Sequence, residues 1–191
     1  MVSGPVIARG AGLVVLGYLG WVVMARGLTA SSAGAVLAVI DGANFIFHEA
    51  GHILFMFFGD FLQALGGSLT QVAIPAICAL YFLSSRERAA AAVTLFWTGE
   101  SITHVAIYIA DGRLTRLPLH GGPGVIHDWN YLLTRLGLVA YAETLGGVAL
   151  AVGLLTIVGA LGLLAVDLLG GMRQTDHPRP MSLTSDLAAR V

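Results

Sequence analysis

Five long apolar stretches, each almost free of charge, leave this chain little choice of solvent. They cover residues 11–25, 33–59, 67–83, 89–110 and 141–169. A helix of about 20 apolar residues crosses the ~30 Å hydrocarbon layer of a bilayer. Inside that layer each backbone N–H and C=O must be satisfied by protein, and a helix does this within a single segment. The expected fold class is therefore all-α: a polytopic integral membrane bundle of about five transmembrane helices, with the lipid bilayer as its first partner. Composition agrees, with 57% hydrophobic and 11% charged residues and a mean hydropathy of +0.83. The net charge is −1 and the ten basic residues, all Arg, are scattered, so there is no electrostatic footprint for nucleic acid. Cys78 is the one cysteine and lies in an apolar run, which excludes an intrachain disulfide and suggests a buried, inert thiol.

The first stretch is short and flanked by Arg9 and Arg26; the small residues 28–33 after it resemble a signal-peptidase site, but an uncleaved anchor is the expected reading. One long polar connection, from Asp111 to about Tyr131, holds Pro118, Gly121-Gly122-Pro123-Gly124 and His127-Asp128-Trp129-Asn130, the punctuation of a loop. Residues 130–139 fit a short interfacial helix with Leu132, Leu133, Leu136 and Val139 on one side and Arg135 on the other. Residues 1–169 form a single transmembrane domain on this reading, and 170–191, polar and containing Pro178 and Pro180, a disordered tail. Five alternating crossings put the termini on opposite faces. Arg26, Arg86, Arg88, Arg173, Arg179 and Arg190 then share one side, which by the positive-inside rule is cytoplasmic, and Arg9, Arg113, Arg116 and Arg135 share the other.

The second stretch contains His48-Glu49-Ala50-Gly51-His52. Four residues apart on a helix, His48 and His52 project one turn from each other on one face and can grip a single ion. Glu49 is rotated by about 100° from His48, placed to act on a metal-bound water as general base rather than to complete the ligand pair. Three ionisable groups within five residues are costly in a bilayer, at about 2.5–3.5 kcal/mol each near its centre, unless something such as a metal holds them. The competing reading is a hydrogen-bonded polar cluster that packs helices together.

Other polar residues extend the pattern. Asp41 and Asn44 lie seven and four residues before His48, near its face, as candidates to orient an imidazole or line a watery entrance. Trp97, Glu100, His104, Tyr108 and Asp111 form a stripe on the fourth stretch that must face protein or water. Within it, Glu100 and His104 form an i, i+4 pair able to bind metal. A tetrahedral metal held by two histidines needs a further protein ligand and an open position; Asp128 is the first choice and His127 the second. With alternating spans, His48, His52, Glu100, His104, His127 and Asp128 all fall at a similar depth.

An HEAGH sequence in an apolar helix resembles the membrane-embedded zinc metallopeptidases of the site-2 protease class and their small peptidase-like bacterial relatives. The resemblance covers one helix and implies Zn²⁺ held by His48 and His52, Glu49 as catalytic base, a membrane-protein or peptide substrate, and a bacterial inner-membrane location. Asp128 corresponds by role to the aspartate of the class, though its setting here, His127-Asp128-Trp129-Asn130, lacks the usual Asn-Pro and Asp-Gly context. Two alternatives stay open. Glu100, His104 and His127 added to the same set suggest two iron ions in an oxidase or hydroxylase acting on a lipid-soluble substrate, and the polar stripes suggest a path for metal-ion transport. Gly66-Gly67 and residues 121–124 are expected places for an access gate.

Overall fold

The computed structural model describes residues 4–29, 34–119 and 125–176, with side chains as far as Arg173. Among the described residues there are six α-helices and no strand: α1 Gly4–Arg26, α2 Ala35–Phe55, α3 Asp60–Ser84, α4 Arg88–Asp111, α5 Asp128–Arg135 and α6 Ala142–Asp176. Three helical segments are long and apolar enough to cross a membrane: α1, α3, and α6 with the 3₁₀ turn that precedes it. The α2 and α4 helices, of 21 and 24 residues, have the length. Their polar residues keep them out of that group. Large apolar side chains such as Val14, Ile77 and Leu155 project outward from α1, α3 and α6, as a lipid-facing surface requires.

Small residues set how closely the helices approach. On the α2–α3 crossing, a Cβ on Gly51 would overlap the Gly66 carbonyl, and one on Gly66 would lie 2.7 Å from the Phe55 Cβ. On the α4–α6 crossing, a Cβ on Gly99 would lie 2.8 Å from the Gly153 carbonyl oxygen, and one on Gly146 2.7 Å from the Ala110 Cβ. Backbones that touch in this way gain dispersion contacts, which drive helix association where burial from water is no longer available. Leu19 and Val23 of α1, Leu37 of α2, Phe96 of α4, and Ile157 and Ala160 of α6 form one apolar core.

The order of contacts gives the helix directions. Val6 lies against Gly171 and Gly20 against Ile157, and Arg9 pairs with Asp167, so α1 is antiparallel to α6. Gly99 meets Gly153 and Ala110 meets Gly146, so α4 is antiparallel to α6 and parallel to α1. Asn44 reaches Glu100, and the His48 and Tyr108 rings meet edge to face, so α2 also runs with α4. Strict alternation therefore fails at its first step: α1 and α2 run the same way, and the start of α1 lies beside the end of α6 rather than at the opposite face.

Several boundaries also differ from expectation. Gly66-Gly67 is no break, because α3 begins at Asp60 and runs through both glycines. The short helix starts at Asp128 and stops at Arg135, where Gly137 turns the backbone at φ 70° and the Leu138 N–H reaches back to the Leu133 carbonyl at 2.8 Å. Leu132 and Leu133 are buried as expected, whereas Leu136, beyond the end, is exposed. The last helix continues through residues 170–176, first assigned to the tail. Residues 30–33 of the signal-peptidase-like segment, the 121–124 loop and the tail from 177 onward lie outside the described residues.

Candidate metal centre

A single stripe of α2, Leu37, Asn44, His48 and Gly51, is buried, and it turns the motif histidines toward α3. Bare Gly67 makes room for them: a Cβ there would lie 2.7 Å from His48 Nε2 and 2.8 Å from His52 Cε1. The third member arrives from far along the chain. Asp128 Oδ2 lies 3.2 Å from His48 Nε2 and 3.3 Å from His52 Nε2. Among the described residues, His48, His52 and Asp128 form the group that can hold a metal ion, with one ligand atom from each and all three within 4.8 Å of one another.

Hydrogen bonds settle which imidazole nitrogens are free. The Gln63 backbone carbonyl, which can only accept, sits 2.9 Å from His52 Nδ1, so that nitrogen carries a proton and, in the neutral ring, Nε2 presents its lone pair. His48 Nδ1 faces Gln71 Oε1 at 3.2 Å and is likewise a donor. Two Nε2 lone pairs and one carboxylate oxygen thus point at each other. That arrangement is repulsive unless protons or a cation lie between them, and it fits the nitrogen–oxygen donor set of zinc.

Asp128 is held from several sides. Tyr108 Oη donates to Asp128 Oδ2 and accepts from the Asp128 backbone N–H, both at 3.2 Å. Its neighbours lock α5 in place, with Trp129 Nε1 donating to Ser68 Oγ at 3.0 Å and Asn130 Nδ2 to the Gly112 carbonyl at 2.8 Å.

The other expected ligands go elsewhere. His127 caps α5, its Nδ1 accepting from the Asn130 N–H at 3.3 Å, and its Nε2 donates to Asp111 Oδ2 at 3.2 Å. Burial lowers its basicity, more than the neighbouring Asp111 and Asp128 carboxylates raise it. Glu100, fully buried, accepts from Arg26 Nη2 at 3.2 Å and Asn44 Nδ2 at 2.7 Å. His104 Nδ1 accepts from Gln71 Nε2 at 3.2 Å, and its Nε2 is 3.9 Å from Asp41. Asp41 and Asn44 therefore do not support His48. They belong, with Arg26, Trp97 and Glu100, to a second polar cluster in which the permanent guanidinium charge bridges two carboxylates. Tyr108 belongs to the polar stripe expected on the fourth stretch, though with no role assigned to it, whereas Gln71 and Ser68 carry no such signal in the sequence. An isolated polar residue in an apolar span leaves no local pattern, although the cost of burying it is itself a signal.

A cavity of about 960 Å³ joins the two clusters, running from Arg26 and Asp41 past His104 to Asp128 and Tyr131. Its wall includes apolar side chains such as Val105, Ile107 and Ile126 and also Glu49, which is exposed toward this space rather than packed among helices. No protein-family model, no curated protein and no solved structure matches this chain.

Proposed function

We propose that this chain is a membrane-embedded metallohydrolase that cleaves peptide bonds, with one Zn²⁺ bound by His48 Nε2, His52 Nε2 and the Asp128 carboxylate. The observation that carries the reading is the meeting of two free Nε2 atoms with one oxygen of a residue 80 positions away, at 3.2 Å from the nearer ring. A chance HEAGH sequence predicts no such partner. In this proposal α2 and α4 cross the cell membrane with α3 and α6, their polar faces turned inward, so that the site lies inside the bundle.

Bound zinc supplies Lewis acidity and draws the pKa of a coordinated water down toward ~7. The protein does the rest. Glu49, on the cavity wall beside His48, takes the proton as water adds to the amide and returns it to the departing amine. The Gln63 carbonyl and Gln71 keep both imidazoles in the ligating tautomer, and Tyr108 fixes the carboxylate. The apolar part of the cavity accommodates a substrate segment that has given up its own helical hydrogen bonds. That is a requirement of hydrolysis within a membrane, because an amide in an intact helix is shielded. This is the chemistry of the site-2 protease class, which the motif resembles.

Metal analysis of the purified full-length chain is the direct test: one zinc per chain is expected, and two irons or no metal would defeat the reading. Replacing Glu49→Gln should leave the zinc in place and reduce cleavage of a membrane-peptide substrate by at least about 10²-fold, the low end for loss of a general base. Undiminished cleavage would remove Glu49 from the mechanism.

A further inference from the structure

Gln71 is 2% exposed, in the middle of the apolar helix α3. Its side chain is almost wholly removed from solvent, so a polar atom of it without a partner would carry a desolvation cost. Both of its polar atoms have partners. Nε2 donates to the Ser101 backbone carbonyl at 3.4 Å and to His104 Nδ1 at 3.2 Å, and Oε1 faces His48 Nδ1 at 3.2 Å.

The orientation of this amide is not free. The Ser101 carbonyl only accepts, so the NH₂ end must point toward α4, and Oε1 is left facing α2. The main chain of Gln71 is held by the same neighbour. Pro75, four residues later, has no N–H to offer the Gln71 carbonyl, and Ser101 Oγ donates to that carbonyl at 3.1 Å instead. Ser101 thus grips Gln71 at both backbone and side chain. Bare Gly67, one turn earlier on α3, lets the His48 ring lie flush against the helix that carries its partner.

We infer that Gln71 is the positioning residue of the proposed metal site: its amide fixes His48 in the Nδ1–H tautomer, so that Nε2 is the ligating atom, and fixes His104 in the opposite tautomer, so that His104 does not ligate. This rests on the metallohydrolase reading and adds to it the group that makes one histidine a ligand and keeps its neighbour out. The two rings take opposite roles because one amide presents its acceptor to α2 and its donor to α4. A metal-ligating imidazole with its second nitrogen bonded in this way is held in orientation and made more basic. Loss of such a partner weakens metal binding by about 10–100-fold.

The test uses the full-length protein in detergent micelles, with Zn²⁺ affinity measured against a chromophoric chelator and Co²⁺ substitution followed by its visible absorption. Gln71→Met, close in shape but unable to accept the His48 proton, should bind Zn²⁺ about 10–100-fold more weakly and change the Co²⁺ spectrum. Gln71→Glu offers an acceptor at the same place and should recover most of the affinity and the native spectrum, a rescue that a merely space-filling role would not show. Native affinity and an unchanged Co²⁺ spectrum in Gln71→Met would overturn the inference while leaving the metal site standing. Wild-type protein that binds neither ion would instead defeat the metallohydrolase reading. Should Gln71→Met not fold, ¹⁵N-histidine NMR of the zinc-loaded wild type decides: coordination through His48 Nε2 with a proton on Nδ1 supports the assignment, and coordination through Nδ1 overturns it.

Discussion

A backbone carbonyl can accept a hydrogen bond and nothing else, and the Gln63 carbonyl therefore puts a proton on His52 Nδ1 and leaves Nε2 as the only ring atom that could ligate a metal. Spacing alone does not have this power. Glu100 and His104 have the same four-residue separation as His48 and His52, yet one is tied to Arg26 and Asn44 and the other accepts from Gln71. The choice between His127 and Asp128 is likewise made by neighbours, since His127 spends both ring nitrogens on Asn130 and Asp111. Two substitutions separate their roles. Asp128→Asn removes the charged oxygen between the two rings and should weaken Zn²⁺ binding by more than the about 10–100-fold that loss of an outer partner costs. His127→Asn keeps an N-cap side chain of a favoured type, so the protein should lose no more than about 1–2 kcal/mol of stability and keep its zinc affinity. Chelator competition on the two variants reads both outcomes; a larger zinc loss in His127→Asn than in Asp128→Asn would reverse the assignment.

At the scale of the helices, glycine placement does the positioning. Gly51, inside the HEAGH sequence, brings α2 onto α3 at Gly66, and Gly99, Gly146 and Gly153 bring α4 onto α6. A Cβ on Gly153 would lie 2.6 Å from Thr103 Cγ2 and 2.8 Å from the Gly99 carbonyl oxygen, so Gly153→Leu must force the helices apart. A loss of about 1–3 kcal/mol is expected from overpacking of this kind, seen as a lower thermal midpoint in detergent. Gly159→Ala, where nothing lies within 4 Å of the added atom, should be neutral or slightly stabilising through helix propensity. An equal loss in both would show that glycine flexibility, not close approach, matters. Much of this scale was legible in the sequence. The apolar run 89–110 marks α4 to within one residue at each end, whereas those for α3 and α6 each miss seven residues at one end, and the i, i+4 histidines need only one helix to be read correctly. Asp128 was within reach because it directly precedes a helical pattern after a loop. Gln71 was not, because its role depends on which face of α3 meets α2, and no short-range pattern encodes that; Tyr108 was legible as part of a polar stripe but not as the partner of Asp128.

Across the whole molecule, the decisive departure is the direction of α1. Counting apolar runs assumes that each crosses in turn, and on that basis Arg26 is a charge at the membrane surface. Instead α1 runs with α2, and Arg26, 7% exposed, lies inside the bundle, with Asp41 of α2 at 3.3 Å and Glu100 of α4 at 3.2 Å. Asn44 completes the cluster by donating to Glu100 while accepting from Trp97. One guanidinium thereby docks the end of α1 onto two other helices, at the opposite end of the cavity from Asp128. Removing one member of a buried ion network strands the charges left behind and costs about 3–5 kcal/mol, whereas removing the charges together is often nearly neutral. Arg26→Met should accordingly lower the thermal midpoint sharply. The triple replacement Arg26→Met, Asp41→Asn, Glu100→Gln should recover most of the loss, a non-additivity that marks direct coupling. If this cluster holds helices and His48, His52 and Asp128 hold zinc, folded protein of either variant keeps its zinc affinity. A fall in affinity in step with the loss of stability would mean that the two ends of the cavity form one site, and the separation drawn between them would fail.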